Sequence, residues 1–133
     1  MSALNSFLVY HAEINEEVMS INKKLGRQIH CEELEVIKAY ASEMLGYRAY
    51  LVHCLAKLDA FLDDATAEKL EPKGSHLTEL DRKVKVESAV SAVRMWRDLC
   101  KGMVDTIDRR VSYAQSELSY EKKYAKAIGA VGA

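Results

Sequence analysis

The chain has 133 residues, 49% of them hydrophobic and 29% charged, and its formal net charge is −1. That length suits a single domain with a moderate core, and near-neutrality excludes a global field that would gather nucleic acid or an anionic membrane. No apolar run approaches the roughly 18 residues of a membrane span, and Met1–Tyr10 lacks the basic start of a secretory leader, with Glu13, Glu16 and Glu17 soon after it.

The first predicted helix runs from about Leu4 to Leu25. Its inward positions are Leu4, Phe7, His11, Ile14, Val18, Ile21 and Leu25, in alternating steps of 3 and 4, which is a heptad seam with one polar member. His11 on that seam reads as a hydrogen-bonded polar residue that fixes register. Glu13, Glu16, Glu17, Asn22, Lys23 and Lys24 form the solvated face.

The second predicted helix spans about Glu32 to Leu70. One stripe holds Leu34, Ile37, Ala41, Met44, Arg48, Leu51, Leu55, Leu58, Leu62 and Ala65, and a second holds Val36, Tyr40, Tyr47, Tyr50, Cys54 and Phe61. Two adjoining stripes imply a wide buried face and more than one neighbour. Glu32, Glu33 and Glu35 sit in the first turn, where the helix dipole favours negative charge.

The chain's single proline, Pro72, lies in "LEPKGSHLT" with Gly74, and this is the clearest turn. A third helix follows over about 78–126, with Ser75 or Thr78 as N-cap and Glu79 and Asp81 in its first turn. Its seam is Leu80, Val84, Val86, Val90, Val93, Trp96 or Arg97, Cys100, Val104, Ile107, Val111, Ala114 and Leu118, before a frayed tail over 127–133. The fold class is therefore all-α: an elongated three-helix antiparallel bundle, or coiled-coil hairpin, with a long C-terminal helix. Charge agrees with the hairpin. Residues 31–72 carry nine acidic and four basic side chains, whereas residues 78–133 carry eleven basic and eight acidic.

A hairpin about Gly74 sets Leu70 level with Thr78 and Glu32 level with about Ser116, and a reversal near Gln28 lays the first helix along residues 32–54. Three helices then overlap over 4–26, 32–54 and 94–116, leaving two helices to hide everything from Leu55 to Val93. Apolar surface left that open predicts association, most simply a two-fold dimer; a third helix that kinks and folds back is the alternative. The candidate interface is the two-helix tip, Phe61, Leu62, Leu77, Leu80 and Val84, with the C-terminal overhang, Leu118, Tyr120 and Tyr124.

Chemical candidates are sparse. "GRQIHCEEL" and "YLVHCLAKL" each place a His beside a Cys, but adjacent helical residues point about 100° apart and zinc-type spacings are missing. Cys31, Cys54 and Cys100 make an odd number in apolar patterns, which reads as reduced thiols in the cytoplasm. Glu13 and Glu16 with Glu32 and Glu35 form two ExxE pairs, similar to part of the magnesium site of all-helical nucleotide pyrophosphohydrolases. The ExxD element of that family is missing, so surface charge explains these glutamates and no enzyme, cofactor or metal is expected.

Nucleic acid is the alternative partner. Arg109, Arg110, Lys122 and Lys123 lie near Tyr113, and Tyr113, Tyr120 and Tyr124 recur at i, i+7 and i+11, so cations and rings could together stack single-stranded bases. The competing reading pairs these cations with the acidic second helix.

Residues 77–120 open with LTELDRK, continue as a long heptad helix with Arg94, and close with an RxxxAQS-like end over Arg109–Ser116. This third of the chain resembles small helical proteins of uncharacterised function encoded by tailed bacteriophages. The resemblance implies a phage or prophage origin, a bacterial cytoplasm, and a role in binding a protein, in assembly or in DNA metabolism. The sequence as a whole reads as a self-associating interaction or assembly protein.

Overall fold

In a computed structural model, residues 2–26, 34–69 and 78–132 are described, with side chains of 121, 122 and 124–132 left aside. They form three α-helices, and no strand occurs among them: α1 (Ala3–Leu25), α2 (Leu34–Lys69) and α3 (Glu79–Gly132). Ser2 caps α1, its hydroxyl accepting from the Asn5 amide at 3.2 Å. Thr78 caps α3 by accepting from the Asp81 amide at 3.1 Å, so of the two expected caps Thr78 does the work. α3 is one uninterrupted helix of 54 residues, about 80 Å long at 1.5 Å per residue. It neither kinks nor stops near 126. The reversals expected at Gly74 and near Gln28 fall outside the described residues.

α2 and α3 pack antiparallel and share the most extensive interface, with α1 in the groove between them. At the centre Val18, Ile21, Leu51, Leu58, Val93 and Ile107 have no exposed surface, and each such side chain contributes on the order of 1.5–3 kcal/mol by leaving water. The heptad seams were legible in outline. Phe7, Ile14, Val18, Ile21 and Leu25 are buried on α1, and Val86, Val90, Val93, Cys100, Val104, Ile107, Val111 and Ala114 on α3. Ala3, Tyr10 and Met103 are further core members, each beside the expected stripe, because every helix meets two neighbours.

The positions of the helices along one another differ from expectation, twice. Asp59 accepts from Arg97 at 2.8 Å and Asp108 from Arg48 at 2.6 Å, where the expected hairpin would set Asp59 level with Ala89. α3 is thus displaced by about two turns, some 12 Å, and its first turn runs past the end of α2. The two ion pairs also run in opposite senses, one with its acid on α2 and one with its acid on α3.

The second correction concerns α1. Its first amide, on Ala3, donates to both carboxylate oxygens of Glu68 at 3.0 and 3.1 Å. The Tyr10 ring packs on Phe61 with centroids 5.6 Å apart, and Lys24 lies over the Tyr47 ring at 5.1 Å. α1 therefore covers α2 from about Tyr47 to Glu68, not residues 32–54. On the other side His11 meets Trp96 edge-on at 4.3 Å, and Ala3 joins Ala65 and Val90 in a small-residue layer. Two helices do not hide the Leu55–Val93 region alone; α1 slides over it and covers its α2 part, Leu55 to Ala65, with Val90 and Val93, while Leu80 and Val84 stay open. The two-helix segment lies at the opposite end, from Leu34 to about Gly46 and along the last third of α3.

Glu68→Ala removes the only carboxylate seen on the Ala3 amide. It should lower stability by about 1 kcal/mol in urea unfolding and speed amide exchange in the first turn of α1. Glu16→Ala, exposed on α1 and far from that amide, should leave both unchanged.

Candidate functional site

The His–Cys pairs assemble no site. Cys54 has no exposed surface and packs in the core, while His53 is on the outer face of α2; His30 and Cys31 lie outside the described residues. No group of three or more His, Cys, Asp or Glu side chains with metal-holding geometry occurs among the described residues. Glu13 and Glu16 are exposed on α1. Since α1 lies over 47–68, Glu16 stands about 20 residues along α2 from Glu35, or ~30 Å. Glu32 is outside the described residues, so the two ExxE pairs are not brought together here.

Cys54 and Cys100 instead form a buried layer where α2 and α3 cross, with Tyr10 and Tyr50 beside them. Burial, then the neighbouring Cys54, pushes the Cys100 thiol up to about 12. Burial first, and Cys54 next, likewise pushes the Tyr50 phenol up to about 12 and raises Tyr10. Such groups are neutral packing elements. His11 is a partial surprise: it is half-buried between Phe7 and Trp96, and its Nε2 is buried with no hydrogen-bond partner. Its role in register runs through ring packing rather than the expected hydrogen bond.

The expected interface residues separate into two groups. Phe61 and Leu62 are half-buried against the core, Phe61 on Tyr10, because α1 occupies the place a partner was expected to fill. Leu80 and Val84 stay 70% and 57% exposed, since the displaced start of α3 reaches beyond α2. Leu118 is half-buried and Tyr120 is 64% exposed. Leu77, Tyr124 and Lys122 fall outside the described side chains.

Part of the alternative surface shares one face of α3, whereas Arg110 turns toward Tyr40 on α2. Tyr113 and Tyr120 are both exposed, seven residues and so two turns apart, with exposed Arg109 beside them and Lys123 exposed beyond. Arg109 donates to the Thr106 hydroxyl and Arg110 to the Tyr40 hydroxyl, each at 3.5 Å. Neither makes an ion pair with a carboxylate among the described residues; Glu32 and Glu33, which the competing reading also invoked, lie outside them.

One surface escaped the sequence reading. From Met44 to Ala56, "MLGYRAYLVHCLA", the single charged side chain is Arg48. A helix apolar all round is buried all round, yet here Leu45 is 48% and Val52 39% exposed. The signal was present as missing charge on the outer face; it was masked by the richer inward stripes.

No helix among the described residues is long and apolar enough to cross a membrane. No protein-family model, curated protein or solved structure matches the chain.

The thiol and phenol layer predicts a pH dependence. A thiol or phenol held protonated in the fold contributes stability that is complete below its unfolded pKa, near 8.5 for Cys and 10 for Tyr. That stability is lost as pH rises toward the folded value. The urea midpoint should therefore be flat from about pH 6 to 8 and fall from about 9 upward, and Cys100→Ala should delay the onset of that fall.

Proposed function

We propose that this chain is a non-enzymatic assembly protein that associates with itself, and with a further protein partner, through apolar helical faces. The observation that carries this reading is area. The folded chain exposes 9074 Å², whereas a compact monomer of 15.0 kDa exposes about 7,000 Å². The difference, about 2,000 Å², exceeds the roughly 800 Å² per partner that a standard interface removes from water. It arises because the 23 residues of α1 cover only part of a 36-residue α2 and a 54-residue α3. Leu80 and Val84 at one end, and Leu118 and Tyr120 at the other, are the parts of the expected interface still open to a partner.

The resemblance of residues 77–120 to small phage-encoded helical proteins supports a phage or prophage setting, and with it work in the bacterial cytoplasm. Exposed Tyr113 and Tyr120 on the face of Arg109, with neither Arg109 nor Arg110 paired to a carboxylate among the described residues, favour a second reading as an accessory binder of single-stranded nucleic acid.

Light-scattering mass after size exclusion separates these. An apolar interface should give a dimer or larger species at both about 0.1 M and about 1 M salt, because screening barely touches buried apolar contact. A monomer at both would overturn the proposal. A complex with a single-stranded oligonucleotide that forms at low salt, dissolves at high salt and is lost in an R109E/R110E variant would establish the second reading.

A further inference from the structure

Self-association needs a surface that is complementary to itself, and the outer face of α2 has that property. Leu45, Ala49, Val52 and Ala56 follow one another in steps of 4, 3 and 4, so they form one stripe along the helix. All four are exposed, and neither α1 nor α3 reaches them, since those helices occupy the side of α2 carrying Leu51, Cys54 and Leu58. Extended by two further turns in each direction, the same stripe begins at Lys38 and ends at Asp63, both exposed.

The order of residues along this stripe is complementary to its own reverse, large against small and cation against anion. If a second α2 runs antiparallel about a two-fold axis between Tyr50 and Leu51, Leu45 of one copy meets Ala56 of the other and Ala49 meets Val52. Every large side chain then faces an alanine, the alternation that lets two helices interdigitate closely. The same axis sets Lys38 of each copy beside Asp63 of the other, giving two cross-pairs that close the apolar stripe at its ends. Asp63 makes no ion pair within its own chain among the described residues, and the only one of Lys38 is an exposed contact of 3.7 Å to Glu35. A parallel arrangement would instead stack Lys38 on Lys38 and Asp63 on Asp63.

We propose that the outer face of α2, from Lys38 to Asp63, is the two-fold interface at which a second copy of this chain docks antiparallel. This rests on the self-association reading above and selects one surface for it, distinct from the helix ends. Joining α2 to α2 makes the apolar all-round section from Met44 to Ala56 an interior helix, as its composition requires. The interface also lies on a different helix from the Tyr113–Tyr120 face of α3.

The test is light-scattering mass across salt-stable conditions for four chains: wild type, Val52→Glu, Lys38→Glu, and Lys38→Glu combined with Asp63→Lys. Because these positions are exposed in the single chain, circular dichroism should stay fully helical for all four. The wild type should be a dimer. Val52→Glu should be monomeric at concentrations where the wild type is fully dimeric, since it buries two carboxylates in an apolar seam. Lys38→Glu should weaken the dimer several-fold, and the double charge exchange should restore it. A dimer untouched by Val52→Glu would overturn this surface while leaving self-association standing. A monomeric wild type would overturn both, and leave the face to a different occupant.

Discussion

The seating of α1 in the groove between α2 and α3 governs the rest of this structure. Phe7, Ile14, Val18, Ile21 and Leu25 enter that groove and meet Leu51, Cys54 and Leu58 on one side and Val93 and Cys100 on the other. Where all three helices run together, inward side chains such as Val18, Ile21, Leu51, Leu58, Val93 and Cys100 lose their last exposed surface. Beyond α1, α2 and α3 bury Ile37, Val111 and Ala114 between them but less completely. The core is therefore deepest along the length of α1 and thinner beyond it.

The point at which α1 stops is decided by a few contacts of low symmetry. A heptad seam is nearly unchanged by a shift of seven residues, so the apolar pattern alone accepts several positions along the hairpin. Small residues break the degeneracy. Ala3, Ala65 and Val90 make a layer that admits the close approach of three backbones, and the Glu68 carboxylate accepts from the Ala3 amide just there. His11 packs edge-on against Trp96 and Tyr10 against Phe61, two ring contacts that a shift of seven residues would break.

That degeneracy explains what could be read in the sequence. Three helices, their inward faces and the antiparallel hairpin follow from spacing and from the turn residues, and each rests on local pattern. The relative sliding of the helices was not legible, because ends of turns are a poor guide when the connecting segments can span many ångströms, at ~3.5 Å per residue. Phe61 and Leu62 looked open for that reason alone. Two helices indeed cannot hide them, and the chain's own first helix covers them. The charge pattern agreed with the antiparallel orientation but not with every pair. Counting charges per helix suggested acid on α2 against base on α3, yet Arg48–Asp108 reverses the sense of Asp59–Arg97, because pairing depends on which residues flank the seam and not on totals.

The outer face of α2 shows why inward stripes should be read together with the charges that are missing elsewhere. An exposed helical face in water ordinarily carries lysine and glutamate, which hold it in solution and keep it from neighbours. Along α1 charge and apolar surface alternate, with Glu13, Glu16, Glu17, Lys23 and Lys24 outward among exposed Leu8, Val9 and Met19. Along α2 the rule is obeyed at the two ends and suspended in the middle for thirteen residues but for Arg48, which Asp108 engages. A solvated helix gains nothing from such a gap. A helix that must approach another closely gains twice, through the removal of charges that would be costly to desolvate and through alanines that bring the axes together. The same reasoning separates this face from the Tyr113–Tyr120 face of α3, where exposed rings stand near Arg109 and Lys123, cations that make no ion pair among the described residues. There the side chains are large, flexible and charged, suited to a solvated ligand, whereas on α2 they are short, rigid and neutral, suited to a second helix.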